Sequence, residues 1–276
     1  MATRLAFDLP VPMSRAVAFA NGQSIVVAGG LSSNGSLRSI LSIDPTTGHL
    51  VQAGQLAAAV HDAAATVAGG RLLVFGGGNL VPVGTVQQIA GPRATVVGRL
   101  PRPRADLAAV TVGARSIIVG GGTPAELDPA ILATADGASF RTIGSLRLGA
   151  RYPAVAAVSG KLLVVGGTDG TRDLNAIQAV DPVSGSVRLI GRLPEGLSHA
   201  AAFVLAGRVL VAGGRSAGRA QDRIWEIDPT TGSVTLVGHL PVAISDFAAV
   251  VLDGVGYLLG GETDAFQASI LVIRLI

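Results

Sequence analysis

The chain contains no cysteine, one tryptophan (Trp225), one lysine (Lys161) and little charge, with Asp, Glu, Lys and Arg making up 14% of 276 residues. The missing cysteine excludes a disulfide frame and any thiolate metal site, and it leaves the redox compartment open. Four histidines, His49, His61, His199 and His239, lack the His-x-x-x-His spacing of a helical metal site, so no metal and no cofactor is expected. Basic residues are scattered, without a polybasic run or aromatic–basic interleaving, and the net charge is only +3, which argues against a nucleic-acid partner. No apolar run reaches the length of a membrane span, and Met1-Ala2-Thr3-Arg4 leads straight into a strand pattern instead of a signal peptide. Direct membrane insertion is therefore not expected. No long amphipathic helix pattern is present either.

What the chain has in excess is glycine, 38 residues of it. Six times an apolar run ends in a glycine doublet: Gly29-Gly30, Gly76-Gly77, Gly120-Gly121, Gly166-Gly167, Gly213-Gly214 and Gly260-Gly261, spaced by 47, 44, 46, 47 and 47 residues. Leu9, Leu56, Leu100, Leu146, Leu193 and Leu240 keep the same intervals, so one unit is written six times. Units of this length must bury their apolar faces against one another. The doublets are not phosphate loops, since no Lys-Ser/Thr follows them and no helix pattern begins there.

Within a unit the apolar runs are short and bounded by turn residues, which reads as strands. The fifth unit gives Ala200 to Ala206, Arg208 to Ala212, Arg223 to Ile227 and Ser233 to Gly238 as four strands. Asn21-Gly22, Gly69-Gly70, Ser159-Gly160, Ala206-Gly207 and Asp253-Gly254 suit the first hairpin, and Asp-Pro-x-x-Gly turns begin at Asp44, Asp181 and Asp228. Ala90-Gly91-Pro92 and Asp136-Gly137 are degraded versions of the later turn, and Asn34-Gly35-Ser36 reads as a turn despite matching a glycosylation acceptor. The first strand of every unit carries small residues, such as Ala64-Ala65 and Ala201-Ala202, as crowding around a common axis requires. The sixth unit lacks a fourth strand, and residues 3–8 resemble the fourth strand at 234–239. They are expected to pair beside residues 269–276, burying Leu5 and Phe7, closing a ring and removing open edges.

The doublet after an apolar strand, four strands per unit and about 50 residues per unit resemble the kelch repeat. The resemblance covers all six units and implies an all-β, six-bladed propeller with four antiparallel strands per blade. It would fill residues 1–276 as one domain, with repeats at about 10–56, 57–100, 101–146, 147–193, 194–240 and 241–276 plus 1–9. The family's usual Tyr in the third strand and Trp in the fourth are replaced by aliphatic residues, for example Ile43 and Val51, or Val180 and Leu189. Copper radical oxidases of this family need a cysteine, which is absent. Sialidases share the six-bladed ring but carry Ser-x-Asp-x-Gly-x-x-Trp boxes, also absent.

Six positions break the repeat's symmetry. Arg15, Asp62, Asp106, Tyr152, His199 and Asp246 each stand fourteen residues before a doublet, where the innermost strand begins. They should form a polar ring around one mouth of the axial channel, solvated like other rims. Just past the doublets come Leu31, Gly78, Gly122, Thr168, Arg215 and Glu262 on the same side. In peptide-binding kelch domains these places resemble the recognition face. The expected ligand site is therefore Arg15, Asp62, Asp106, Tyr152, His199 and Asp246, with Asp169, Arg215 and Glu262 from the adjoining loops. Asp169-Gly170-Thr171-Arg172-Asp173 reads as a solvated turn, since Arg172 opposes calcium.

The resulting expectation is a monomeric, non-catalytic recognition or sensor module that binds a protein, peptide or glycan. Tightly fitting termini and an Ala-, Gly-, Val- and Arg-rich composition suggest a fragment of a larger bacterial, extracytoplasmic protein. Two alternatives stay open: a cofactor-free isomerase or hydrolase acting on a small sugar-like substrate, and a purely structural scaffold.

Overall fold

The computed structural model describes residues 1–275 and places six four-stranded antiparallel sheets in a ring. The innermost strands are Val17–Asn21, Ala64–Ala68, Ala105–Val112, Ala154–Val158, Ala201–Leu205 and Ala248–Leu252. Each hairpins into a second strand that returns to the starting face, where the glycine doublet follows. The third strand goes away again, and the fourth comes back along the outer rim. Blades one to five run consecutively from inside to outside.

The last blade is completed from the other end of the chain. Its outer strand is Ala2–Asp8, antiparallel to Ser269–Ile273, with Ala2 opposite Ile273, Thr3 opposite Val272 and a bulge between Arg4 and Asp8. The closure expected from sequence is thus present; of the segment assigned to it, Ile276 lies outside the described residues. Leu5 and Phe7 are partly buried, and they pack against the cluster shared by the last and first blades.

No single core exists. Six apolar clusters each draw on two neighbouring blades, so the interior is six seams. Packing in them is largely aliphatic. Ile43 and Val180 of the third strands are wholly buried, whereas Val51 and Leu189 of the outer strands are exposed. The missing tryptophan positions therefore face water and cost the seams little.

The doublets act as joints. Each first glycine sits against a backbone carbonyl where the next blade begins, and a Cβ on Gly166 would lie 2.1 Å from the Leu197 carbonyl oxygen. Each second glycine donates its N–H to that same carbonyl, for example Gly167 to Leu197 at 2.9 Å, and Gly261 to Met13 at 2.8 Å across the closure. Both members have positive φ in all six doublets. Close approach and a left-handed backbone together demand glycine at both places.

The Asp-Pro-x-x-Gly turns are fixed by their first residue. Asp44 Oδ1 accepts the Thr46 hydroxyl and the N–H groups of Thr46 and Thr47, and these bonds hold its carboxyl down at about 2. The third blade differs where its chain arrives from the second. Arg104 occupies a place held by Met13, Val60, Ala150, Leu197 and Ile244 in the other blades, yet it is fully buried. It pairs with Asp128 at 2.7 Å and donates to the carbonyls of Gly120 and Ala130.

Candidate functional site

Each of the six ring positions is a non-glycine residue in the left-handed region, with φ of 54° at Arg15 and Asp62, 61° at Asp106, 51° at Tyr152, 56° at His199 and 57° at Asp246. This backbone turns every N–H sideways, toward the neighbouring blade. Asp62 donates to the carbonyl of Arg15, Asp106 to Asp62, Tyr152 to Asp106, His199 to Tyr152 and Asp246 to His199; Arg15 donates to Asp246 and closes the circle. The six N···O distances lie between 2.6 and 3.2 Å. The mouth of the channel is therefore a closed hydrogen-bonded ring whose backbone donors are spent on one another. Only side chains are left to meet a ligand.

The residue before each ring position pairs with the residue after each doublet, as in Ser198 with Arg215 and Ser245 with Glu262. This pairing brings Arg215 and Glu262 to the ring. Arg15 Nε lies 3.0 Å from Glu262 Oε1, and its Nη1 lies 3.3 Å from Asp62 Oδ2. Arg215 contacts Asp246 at 3.3 Å and Glu262 at 3.0 Å. Arg151 pairs with Asp106. Tyr152 reaches past the third blade to donate its hydroxyl to Asp62 Oδ2 at 3.3 Å, and its ring stacks on His199 with centroids 3.7 Å apart. Ser198 Oγ links His199 Nδ1 to Asp173 Oδ1, each at 2.7 Å.

These groups are more buried than a solvated rim. The side chains of Asp106 and Asp246 are each 1% exposed, that of Asp62 7%. Asp106 has Arg151 and Asp246 has Arg215, whereas the only guanidinium on Asp62 is Arg15, shared with two other carboxylates. Burial first, then the nearby Asp106 and Asp246, push the Asp62 carboxyl up to about 7 against the pull of Arg15. Burial would lower Arg15, but Asp62, Asp246 and Glu262 more than offset it and hold the guanidinium charged. Burial likewise keeps His199 below its usual value, with Asp246 opposing. Burial raises Tyr152, and the neighbouring Asp62 and Asp106 raise it further. Glu262 would rise on burial; Ser14, Arg15 and Arg215 bring it below the ordinary range.

The ring side chains line a cavity of about 140 Å³. It continues into a second space of about 180 Å³ lined by the alanines and valines of the inner strands. Ala16, Ala63, Leu107, Pro153, Ala200 and Phe247 border both. Of the nine residues expected at the site, eight gather here. Asp169 does not. Its Oδ1 accepts from Thr171 N, Thr171 Oγ1 and Arg172 N, its Oδ2 from Arg172 Nε, and it lines a separate cavity over the fourth blade. It lies one residue beyond Thr168, the position paired with the ring, and its carboxylate is tied into its own turn.

Arg151, Ser198 and Ser245 were not singled out from sequence. A signal was available: serine precedes the ring residue in three repeats, at Ser14, Ser198 and Ser245, and all three hydroxyls bond to the cluster. Among the described residues no group of three or more His, Cys, Asp or Glu is placed to hold a metal ion.

Comparison with known proteins agrees with the propeller fold. A family model described as the kelch motif matches residues 149–194, the fourth blade and the step into the fifth. No curated protein matches the sequence. Among solved structures the chain is similar to one described as the structure of YjhT, with a TM-score of 0.82 and 14% identity over 97% of this chain and 96% of the other. At that identity the likeness speaks for the fold alone. Six blades with a doublet joint in each lead to one assignment: the chain is a six-bladed β-propeller, and its fourth blade matches the kelch motif.

Proposed function

We propose that the axial mouth is a recognition site for a polar segment of a peptide, protein or glycan. The observation that carries this reading is the conformation of the ring residues. Six side chains of four kinds sit where glycine would be unstrained, in a chain that uses glycine freely at other positive-φ positions. A left-handed non-glycine residue costs about 1–3 kcal/mol, and such strain gathers where side chains are needed for function. The joints, which need only backbone, carry glycine throughout.

The cluster's chemistry sets the kind of ligand. Four carboxyl groups, Asp62, Asp106, Asp246 and Glu262, face three guanidiniums, Arg15, Arg151 and Arg215, and Asp62 is readily protonated near neutrality. Opposite charges are matched within the site, so it favours a group that both donates and accepts hydrogen bonds over a simple ion. The cavity of about 140 Å³ admits one side chain or one sugar unit, and the rest of a ligand would rest on the loops after the doublets. A role as a sensor or interaction module accords with a mouth of this kind.

The raised Asp62 carboxyl, with the Tyr152 hydroxyl 3.3 Å and His61 Nε2 3.6 Å from its Oδ2, also favours a second reading: acid–base turnover of a small sugar-like substrate without a cofactor. The two separate in one experiment. A partner captured by the wild-type chain should be lost from Asp62→Ala/Asp106→Ala/Asp246→Ala with folding retained by circular dichroism, and a sugar panel should show no turnover. Turnover abolished by Asp62→Asn would replace recognition with catalysis. A partner that survives the triple change together with Arg15→Ala and His199→Ala would remove the site from the mouth altogether.

A further inference from the structure

The cavity that contains Asp169 has a chemistry of its own. It lies over the fourth blade, away from the axis, with a volume of about 630 Å³. Arg147, Arg172 and Arg192 border it, together with Asp169, Asp173 and Asn175.

The acids there are already occupied. Both oxygens of Asp169 are taken by its own turn, which holds its carboxyl well below the usual carboxylate range. Asp173 accepts Ser198 Oγ at 2.7 Å on one oxygen and the Ala217 N–H at 3.0 Å on the other. The arginines are not occupied in this sense. Each uses one nitrogen as an anchor: Arg147 Nε on the Val187 carbonyl at 2.7 Å, Arg172 Nε on Asp169 Oδ2 at 3.3 Å, and Arg192 Nη1 on Asn175 Oδ1 at 3.1 Å. Their remaining N–H groups meet no acceptor among the described residues. A guanidinium anchored at one edge keeps the rest of its planar fork for a carboxylate or phosphate.

We propose that this cavity is a second binding site, for a small, multiply charged oxyanion such as a phosphorylated or polycarboxylate metabolite. It is separate from the axial mouth. There four carboxyl groups share three guanidiniums; here three guanidiniums outnumber two carboxylates, whose oxygens each already accept a bond from the protein. Apolar Leu148 and Leu174 beside the arginines would contact the carbon part of such a ligand.

The test is calorimetric titration of the full chain at fixed ionic strength with two probes, inorganic pyrophosphate and malonate. Saturable binding of one equivalent is expected, and whichever probe binds more tightly assigns the phosphoryl or carboxylate class. Arg172→Ala/Arg192→Ala should weaken it by about tenfold or more. Arg99→Ala, an exposed arginine elsewhere, and Asp62→Asn at the axial mouth should leave it unchanged. The proposal is overturned by the absence of saturable heat at millimolar probe, by equal weakening in Arg99→Ala, or by undiminished binding in the double variant when its thermal unfolding shows it folded.

Discussion

Two sets of six positions lie on the same face of the propeller, both left-handed in backbone, and they have been filled in opposite ways. The doublets carry glycine in every blade because a neighbouring carbonyl occupies the space of a side chain. The ring positions carry Arg, Asp, Asp, Tyr, His and Asp on an equally uniform backbone. Where geometry alone is required the repeat is strict, and where side chains project into a shared cavity it diverges. Fold and site are thus written in one repeat at residues only about fourteen apart, and the contrast between them can be broken experimentally.

The largest effect should come from opening the ring on which both sets depend. Deleting residues 1–9 removes the strand paired with Ser269–Ile273 and the buried Leu9, and it exposes the seam between the last and first blades. A melting temperature lower by well over about 10 °C is expected from calorimetry. An unchanged melting curve would mean that the closure contributes nothing. Next comes Gly166→Ala. Its Cβ would sit 2.1 Å from the Leu197 carbonyl oxygen at a φ of 62°, so both a clash and a strained backbone must be absorbed. A loss of about 2–4 kcal/mol in chemical denaturation is expected.

The ring should respond in the reverse sense. For Tyr152, glycine suits the backbone better than alanine, so Tyr152→Gly should be more stable than Tyr152→Ala by about 1 kcal/mol. Equal stabilities would show that the ring is not strained, and the argument for function at the mouth would lose its footing.

Much of this was legible in the sequence because joints and ring both keep a fixed distance from a repeated landmark. The closure was legible because residues 3–8 resemble a fourth strand. Contacts that depend on a neighbouring blade were not. Gly238 matches Gly54, Gly98, Gly144 and Gly191 by position. Those four abut the backbone of the next blade's later turn, with Gly144 placing a Cβ 2.4 Å from the Gly185 carbonyl oxygen. Gly238 meets nothing nearer than Ile224 Cδ1 at 3.8 Å, because the blade beside it is the one formed by the chain ends and has no such turn. Phe7 occupies the equivalent place in that last blade and packs on Gly48 of the first. The position of Asp169 has a similar cause, since counting residues locates a loop but not the turn that draws its carboxylate onto Thr171 and Arg172. Arg151 is not legible in its own repeat because its partner, Asp106, comes from another. Arg104 is the reverse case: a lone arginine among apolar equivalents, visible in the alignment of repeats but explained only by Asp128.

The remaining effect is a dependence on pH, and it tests whether the ring is built for something other than stability. Asp62 titrates at about 7 in the folded chain and near 3.8 when exposed, so folding raises its affinity for a proton. Its favourable contribution is complete below about pH 4 and is lost as the pH rises through 7. The amide introduced by Asp62→Asn does not titrate and makes no such contribution. The stability of Asp62→Asn relative to wild type should therefore improve between pH 4 and pH 8, by about 1–2 kcal/mol. This is less than the full shift implies, because water entering the open mouth offsets part of the cost of burial. Denaturant midpoints of both proteins at several pH values within that window measure the difference. A difference that stays constant would place the Asp62 carboxyl at its ordinary value. A rise toward pH 8 would show that the mouth keeps a carboxyl group at the expense of stability, as a residue retained for its chemistry would be.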